Sequence, residues 1–221
     1  MGDILDQAMS KAFRGGKAVR FLQIGGNDGV HQDPLYDYHV SGEFHFDWGH
    51  IFEPIPEYFE QLVINMRPYP YVTCHELAVD AAKTPCTREF SYVSAEDISR
   101  HGLPPSSKGI GSFSLEAGAT AYPASKYETI KEYIRTIKVK TIPMSHLIDR
   151  FAAANMLLTD CEGYDTSLID AAFRNGGFRP EIIQFEDHGQ NAQLLEDVLG
   201  RLHGLGYSST KSGKDYVCQF C

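Results

Sequence analysis

A glycine-rich turn and an acid further along the chain have the types and spacing that suit a nucleotide-like ligand. Residues 19–24 form an apolar run that ends in Gly25-Gly26-Asn27-Asp28-Gly29, and a second apolar run ends in Glu53. Bare backbone at a strand-to-helix turn lets a cofactor approach closely, and an acid ending the next strand can accept from both hydroxyls of a ribose. The pattern predicts an adenosine-containing ligand, with an ordinary glycine connector as the alternative.

The spacing of the glycines argues against a dinucleotide. A Gly-x-Gly-x-x-Gly fingerprint would need glycine at positions 27 and 30, where the chain has Asn27 and Val30. The turn fits Gly-x-Gly-x-Gly with asparagine in place of the middle glycine. Asparagine tolerates a positive φ better than most residues with a side chain, so the substitution costs little.

Two further acids end apolar runs. Asp160 ends the run at 156–160, and Glu186 ends the run at 180–186. The carboxyl ends of the strands of an open α/β sheet face one crevice. We therefore expect Gly25, Glu53, Asp160 and Glu186 to converge there.

Four blocks, IGGNDG, FEPIPEYFEQL, LLTDCEGYD and RPEIIQFE, follow one another in this order over most of residues 19–190. Together they resemble the FkbM-type family of S-adenosylmethionine-dependent methyltransferases. The resemblance implies the α/β class I methyltransferase (Rossmann-like) fold, a seven-stranded, mainly parallel sheet with helices on both faces and an antiparallel C-terminal hairpin. It also implies S-adenosylmethionine as cofactor, S-adenosylhomocysteine as product, and O-methylation of a small molecule, sugar or natural product.

The resemblance assigns roles position by position. The glycine turn would wrap the methionine part of the cofactor, Glu53 would bind ribose, Ala78 would lie near adenine, and Asp160 near the amino or sulfonium end. Gln23 stands where many relatives carry an acid, which removes a charge-assisted contact to the cofactor ammonium. The expected cofactor-binding residues are Gln23, Gly25, Gly26, Asn27, Glu53, Pro54, Ala78, Ser112 and Asp160.

Methyl transfer is an in-line displacement that needs positioning and no covalent nucleophile. A hydroxyl acceptor also benefits from a base within hydrogen-bond reach. The expected catalytic residues are Asp160, His188 and Glu162, although His188 could equally be a loop histidine without a role. A less favoured alternative is a magnesium ion held by Asp160, Glu186 and Asp187, since carboxylate oxygens suit that ion.

Apolar runs that alternate with helical patterns predict a doubly wound sheet. We expect a variable loop at 101–125, where glycine, serine and proline are frequent. Predicted helices cover residues 3–14, 34–40, 57–66, 145–154 (with Ser145 as N-cap), 166–174 and 192–203. Predicted strands cover 19–24, 49–52, 71–74, 76–79, 88–93, 126–142, 156–160 and 180–186, with a closing hairpin at 207–209 and 216–220.

Length and composition favour a single domain over residues 1–221, given ~150 residues per domain. The net charge of −9 argues against nucleic acid or an anionic membrane as partner. Neither a ~20-residue apolar span nor a secretion signal is present, and five cysteines argue against a disulfide framework. We expect a cytoplasmic protein with a small hydroxylated substrate and possible homo-oligomers. The alternatives are a non-catalytic S-adenosylmethionine-binding module and a nicotinamide-dependent oxidoreductase.

Overall fold

The computed structural model describes residues 4–113, 129–174, 176–189 and 191–221. The strands of this part are β1 Val19–Ile24, β2 Phe46–Phe52, β3 Val72–His75, β4 Ala78–Asp80, β5 Thr87–Val93, β6 Gly111–Ser112, β7 Ile134–Pro143, β8 Met156–Thr159, β9 Ile182–Glu186, β10 Tyr207–Ser212 and β11 Asp215–Phe220. Its α-helices are α1 Ile4–Ala12, α2 Tyr36–Ser41, α3 Pro56–Met66, α4 Ala95–His101, α5 Met144–Arg150, α6 Asp165–Phe173 and α7 Ala192–Gly204.

The main sheet has seven strands in the order β10-β11-β9-β8-β1-β2-β3. Strands β3, β2, β1, β8 and β9 run parallel, whereas the hairpin β10–β11 is antiparallel. This confirms the predicted mainly parallel seven-stranded sheet with a C-terminal hairpin. The order departs from the regular doubly wound order 3-2-1-4-5-6, because β11 lies between β9 and β10.

Helices pack on both faces of this sheet, as predicted. Successive side chains of a strand point to opposite faces. Phe21 therefore packs with α1 and α3 on one face, while Leu22 and Ile24 pack with α5, α6 and α7 on the other. By the same alternation Gln23 lies on the Phe21 face, at the carboxyl end of the strand, where the apolar core gives way to polar groups.

A second sheet, with the strand order β4-β7-β5-β6, was not expected from the sequence. Strands β5 and β7 pair antiparallel, and β4 runs parallel to β7. Ala78, Phe90 and Val139 from this sheet pack with Ile55 and Tyr58. The Tyr58 hydroxyl donates to the backbone oxygen of Val93 over 2.5 Å. These contacts hold the second sheet against the segment that follows β2.

Several predicted boundaries were wrong. The strand expected at 126–142 begins at Ile134, after a short 3-10 helix, and residues 126–128 lie outside the described part. The helix expected from Ser145 begins at Met144, and Pro143 occupies the N-cap position without a side-chain cap. Of the loop expected at 101–125, residues 105–109 form a 3-10 turn and 114–125 lie outside the described residues.

The five cysteines are free thiols, as expected from their odd number. No helix in the described ranges combines the length and the apolar character needed to cross a membrane.

Candidate functional site

The backbone of the glycine turn packs directly against the ends of β2 and β8. The backbone amides of Gly25 and Gly26 both donate to the Phe52 carbonyl, over 3.0 and 3.1 Å. Gly25 has a φ of 84°, and a Cβ there would lie 1.9 Å from the Asp160 carbonyl oxygen. Asn27 has a φ of 47°, the left-handed conformation that its tolerance for positive φ allows. The chain therefore approaches β8 closely at this turn, and only glycine fits at position 25.

Glu53 is a buried acid, 4% exposed, that is fixed to the turn. Its Oε2 accepts from the Asn27 amide and its Oε1 from the Ile55 amide, each over 2.8 Å. Burial raises the pKa of Glu53 to about 7, although both hydrogen bonds act to lower it. Each carboxylate oxygen can accept more than one hydrogen bond, so both retain capacity for a ligand.

Lys108 and Asn27 connect the turn to the segment at 105–109. The Asn27 side-chain amide donates to the Lys108 carbonyl over 3.1 Å. The Lys108 ammonium pairs with Asp28 and lies 5.1 Å from the centre of the Tyr58 ring. Burial alone would raise the pKa of Asp28, but hydrogen bonds from Lys108 and His31 lower it to about 2. Asp28 is therefore ionised at neutral pH and holds the Lys108 side chain in place.

The inner cleft is the space between the turn, the end of β2 and the second sheet. Its lining includes seven of the predicted cofactor-binding residues, namely Gly25, Asn27, Glu53, Pro54, Ala78, Ser112 and Asp160. The aromatic rings of Phe113 and Tyr164 form part of its wall and pack edge to face, with ring centres 5.3 Å apart. The Tyr164 hydroxyl donates to Asp80 over 2.7 Å, and this fixes the wall.

The turn cavity, of about 460 Å³, adjoins the inner cleft at the turn and is lined by Gln23, Gly25, Gly26, Asn27 and Asp33 among others. Gln23 Nε2 donates to Asp33 Oδ2 over 2.6 Å. Gln23 Oε1 and Asn27 Oδ1 are buried acceptors with no donor among the described residues. Burial raises the pKa of Asp33. The two remaining predicted cofactor-binding residues, Gln23 and Gly26, thus lie here.

Asp160 and Glu162 line both the inner cleft and the turn cavity. Burial raises the pKa of Glu162 to about 7, and burial together with Glu186, Glu162 and Asp165 raises that of Asp160 well above its usual value. Asp160 is exposed to solvent and lines both cavities, with the other acids close to it. These two acids therefore lie together where the inner cleft and the turn cavity meet.

The structure does not bring His188 to these cavities. Its side chain is 2% exposed, with Nε2 2.8 Å from Glu186 Oε2. Lys214 Nζ lies 3.1 Å from the other ring nitrogen, and Glu162 is 4.0 Å away. Burial alone would lower the pKa of His188, but the bond to Glu186 raises it. His188 thus supports Glu186 and has no nitrogen facing the inner cleft.

The structure does not group Asp160, Glu186 and Asp187 as the ligands of a magnesium ion. Asp187 Oδ1 accepts from the Gly189 amide over 3.2 Å, within its own turn. No three His, Cys, Asp or Glu side chains in the described ranges lie together in a group that could hold a metal ion.

Sequence reasoning missed three residues that shape the site, which are Asp33, Lys108 and Tyr164. Asp33 precedes a proline and accepts from the Leu35 amide, so its only local signal was that of a turn. The others lie in or beside segments whose place over the cleft depends on the second sheet.

Comparisons with known proteins establish the fold. No protein-family model and no curated protein sequence matches the chain. The fold is similar to that of the methyltransferase FkbM from Methylobacillus flagellatus KT, with a TM-score of 0.53 and 12% identity over 92% of this chain and 44% of that chain. This chain thus spans less than half of that protein. A precorrin-6y C5,15-methyltransferase from Geobacter metallireducens GS-15 gives a TM-score of 0.45 and 11% identity over 97% and 85% of the two chains.

Proposed function

We propose that this protein is an S-adenosylmethionine-dependent methyltransferase that methylates a hydroxyl group of a small molecule, sugar or natural product. The observation that carries the proposal is Glu53, a buried acid at the end of β2 that is tied to the glycine turn through Asn27. Its oxygens keep acceptor capacity for two ribose hydroxyls. The likeness of the fold to a methyltransferase supports the same conclusion.

The polar groups of the turn cavity fit the amino-acid end of this cofactor. Gln23 Oε1 and Asn27 Oδ1 are buried acceptors without a donor from the described residues, and an ammonium group is a donor. Asp33, 2.6 Å from the Gln23 amide nitrogen, brings the negative charge that Gln23 lacks. Asp33, in the segment after the turn, would therefore supply the charge-assisted contact to the cofactor ammonium that Gln23 cannot make.

The charges around the turn oppose a nicotinamide dinucleotide. Asp33, Asp160 and Glu162 line the turn cavity, where a pyrophosphate would be repelled. Lys108 is a cationic residue of this cavity and His31 is a potentially cationic one. Both contact Asp28, which offsets their positive charge. A cofactor with a positive sulfonium and an ammonium suits this environment better.

Bound S-adenosylmethionine supplies a methyl group on a positively charged sulfur. The chain's own task is to orient the acceptor hydroxyl and take its proton. Glu162 suits the second task, because a base works best when its pKa lies near the working pH, and burial raises its pKa to about 7. Asp160, next to it in both cavities, is the other candidate base.

A small acceptor is part of the proposal, because the net charge of −9 and the acids of the site disfavour nucleic acid. A cytoplasmic location fits the five free thiols. Homo-oligomer formation stays a prediction.

A nucleoside can enter the inner cleft only if its wall moves. The free volume is about 70 Å³, whereas small-molecule pockets hold roughly 300 Å³ or more. The lining residues that come from the segment 105–113 are Lys108, Gly109, Gly111, Ser112 and Phe113. This segment is the part of the wall that we expect to shift outwards.

Titration calorimetry with S-adenosylmethionine, S-adenosylhomocysteine and NAD tests the proposal. We expect S-adenosylhomocysteine to bind and NAD to give no heat. NAD binding without S-adenosylhomocysteine binding would instead assign a nicotinamide enzyme. Turnover with a panel of hydroxylated acceptors then separates an enzyme from a non-catalytic cofactor-binding module, which would bind the cofactor and transfer no methyl group.

A further inference from the structure

A third cavity, of about 760 Å³, lies at the carboxyl ends of β1, β8 and β9, and we refer to it as the acidic cavity. It shares Gly25, Asp160 and Glu162 with the inner cleft and the turn cavity. A ligand in the acidic cavity would therefore lie beside a ligand held at the turn. Its volume falls within the range of roughly 300–1,000 Å³ that small-molecule sites have.

The lining of this cavity carries one sign of charge. Eight of its nineteen lining residues are aspartate or glutamate, and none of the described lining residues is lysine, arginine or histidine. They include Asp33, Asp37, Glu43, Asp160, Glu162 and Glu186, which come from the ends of β8 and β9 and from the region of α2. A concave surface lined by one sign of charge concentrates ligands of the opposite sign.

The central acids lack a cation of their own. Asp160 receives no side-chain hydrogen bond from the described residues, and the nearest cationic group to Glu162 is His188, at 4.0 Å. That histidine already pairs with Glu186 over 2.8 Å. Burial and the mutual repulsion of the acids raise the pKa values of Asp160 and Glu162. A cationic ligand would relieve this repulsion.

A further observation is the Gln23 side chain, which is 3% exposed and lines both the turn cavity and the acidic cavity. Its Nε2 donates to Asp33, so a rotation of the amide would set oxygen against carboxylate. Its Oε1 consequently remains an acceptor, and it has no donor within the described part of the chain. Gln184 Oε1 is a second buried acceptor without a described donor, and it is independent of the cofactor because Gln184 lines the acidic cavity and not the turn cavity. The missing partner must donate hydrogen bonds.

The distribution of the acids favours an extended organic cation over one metal ion. Among the described residues no three His, Cys, Asp or Glu side chains form a metal-holding group. The acids instead follow the cavity from the ends of the strands to α2. Amino groups spaced along one molecule could meet them separately, each as an ammonium with three donors.

We propose that the acidic cavity binds the methyl acceptor and that this acceptor is a polyhydroxylated amine, recognised through its protonated amino groups and methylated on a hydroxyl. This inference rests on the proposed function. The amino-acid end of the cofactor carries one ammonium and one carboxylate, and therefore brings no net charge to offset the acids beyond the turn cavity. The acceptor provides that charge.

Calorimetry on the protein saturated with S-adenosylhomocysteine tests the inference with two polyhydroxylated amines of different size, kanamycin and glucosamine, and with their N-acetylated forms. We expect at least one of the amines to bind, and its N-acetylated form to bind at least about tenfold more weakly, because acetylation removes the positive charge that pairs with the acids of the cavity. If neither amine binds, or if acetylation has no effect, the inference is wrong.

A pair of charge-matched variants locates the binding. Asp37→Asn with Glu43→Gln removes two acids of the acidic cavity, whereas Asp47→Asn with Glu60→Gln removes two exposed acids outside it. We expect the first variant to weaken amine binding by about fivefold and the second to leave it within twofold. Equal losses of affinity in the two variants would show that only the net charge of the protein matters, and would overturn the inference. Displacement of the amine by Mg²⁺ would overturn it as well. If the wild type fails to bind S-adenosylhomocysteine, the proposed function fails instead.

Discussion

Glu53 serves two purposes through the same two oxygens. The backbone amides of Asn27 and Ile55 hold its carboxyl group in place. Burial raises its pKa to about 7, so near neutral pH the group is divided between its protonated and ionised forms. Ribose hydroxyls donate, and a carboxylate accepts them better than a carboxylic acid does. Binding should therefore favour the ionised form.

This argument predicts a pH dependence of cofactor binding. The affinity for S-adenosylhomocysteine should rise with pH by up to tenfold per unit below pH ~7 and level off above it, because only the ionised form of Glu53 binds well. Glu53→Gln should bind about tenfold or more weakly at pH 8 and show a smaller slope. Calorimetry between pH 5.5 and 8.5 measures both effects.

Glu57→Gln is the matched control. Burial also raises the pKa of Glu57, and its carboxylate accepts from the Ala95 amide, yet it lines none of the three cavities. It should keep the wild-type pH profile of binding. An unchanged profile in Glu53→Gln would reject the role assigned to Glu53.

Residues at strand ends could be predicted from sequence, and residues that act through tertiary contacts could not. Glu53 and Asp160 follow apolar runs, so their place in the crevice came from local pattern alone. Lys108 pairs with an acid 80 positions away, and nothing near it in sequence indicates that partner. His188 also follows a strand, but the pairing with Glu186 and Lys214 turns it away from the cleft.

At the scale of elements, the junction of β1 with β8 depends on the absence of a side chain. The Gly25 backbone lies against the Asp160 carbonyl, where a Cβ would come within 1.9 Å. The Asp160 amide in turn donates to the Ile24 carbonyl over 2.9 Å. The two strands therefore cannot separate to admit a methyl group without losing a hydrogen bond between them.

We accordingly expect Gly25→Ala to be much more destabilising than Gly42→Ala. Both glycines have positive φ, 84° and 65°, but a Cβ at Gly42 meets nothing within 4 Å. Backbone strain alone should cost each variant about 1–2 kcal/mol, and crowding should add roughly 1–3 kcal/mol at position 25. Urea unfolding measures the difference. Equal losses in the two variants would show that the junction tolerates a methyl group.

The main sheet was predictable, whereas the second sheet was not. Strand β1 was predicted with its observed bounds, and the C-terminal hairpin was expected, because periodicity and turn residues are local signals. Strand β5 was expected as well, but its partner β7 begins about forty residues later, at Ile134. Pairing over such a separation is set by packing against Ile55 and Tyr58, which a single sequence does not reveal.

At the scale of the whole molecule, the buried acids and histidines set opposite pH limits on stability. Burial raises the pKa values of Glu53 and Glu162 to about 7 and that of Asp165 to about 6. The folded state holds these protons while the unfolded chain has released them, so stability falls as pH rises towards 7. Burial lowers the pKa values of His39 and His50 to about 4, so their contribution is lost as pH falls below 6.5.

We therefore expect stability to fall between pH ~6.5 and pH ~8, where the histidines are mostly neutral in both states and the buried acids still release protons, with each acid contributing up to about 1.4 kcal/mol per pH unit. Thermal unfolding at a series of pH values measures the profile. The double variant Glu53→Gln with Glu162→Gln should show a smaller decline above pH 6.5. A stability that rises between pH 6.5 and 8 would contradict the assignment of these pKa values.

The bond from the Asn27 side chain to the Lys108 carbonyl has a consequence for timing. Asn27 also donates its backbone amide to Glu53, so one residue is bonded both to the wall of the narrow inner cleft and to the acid inside the cleft. Each round of cofactor exchange would break and remake this link together with the Lys108–Asp28 pair. The frequency of that event, rather than the displacement at sulfur, would then set the upper limit on turnover.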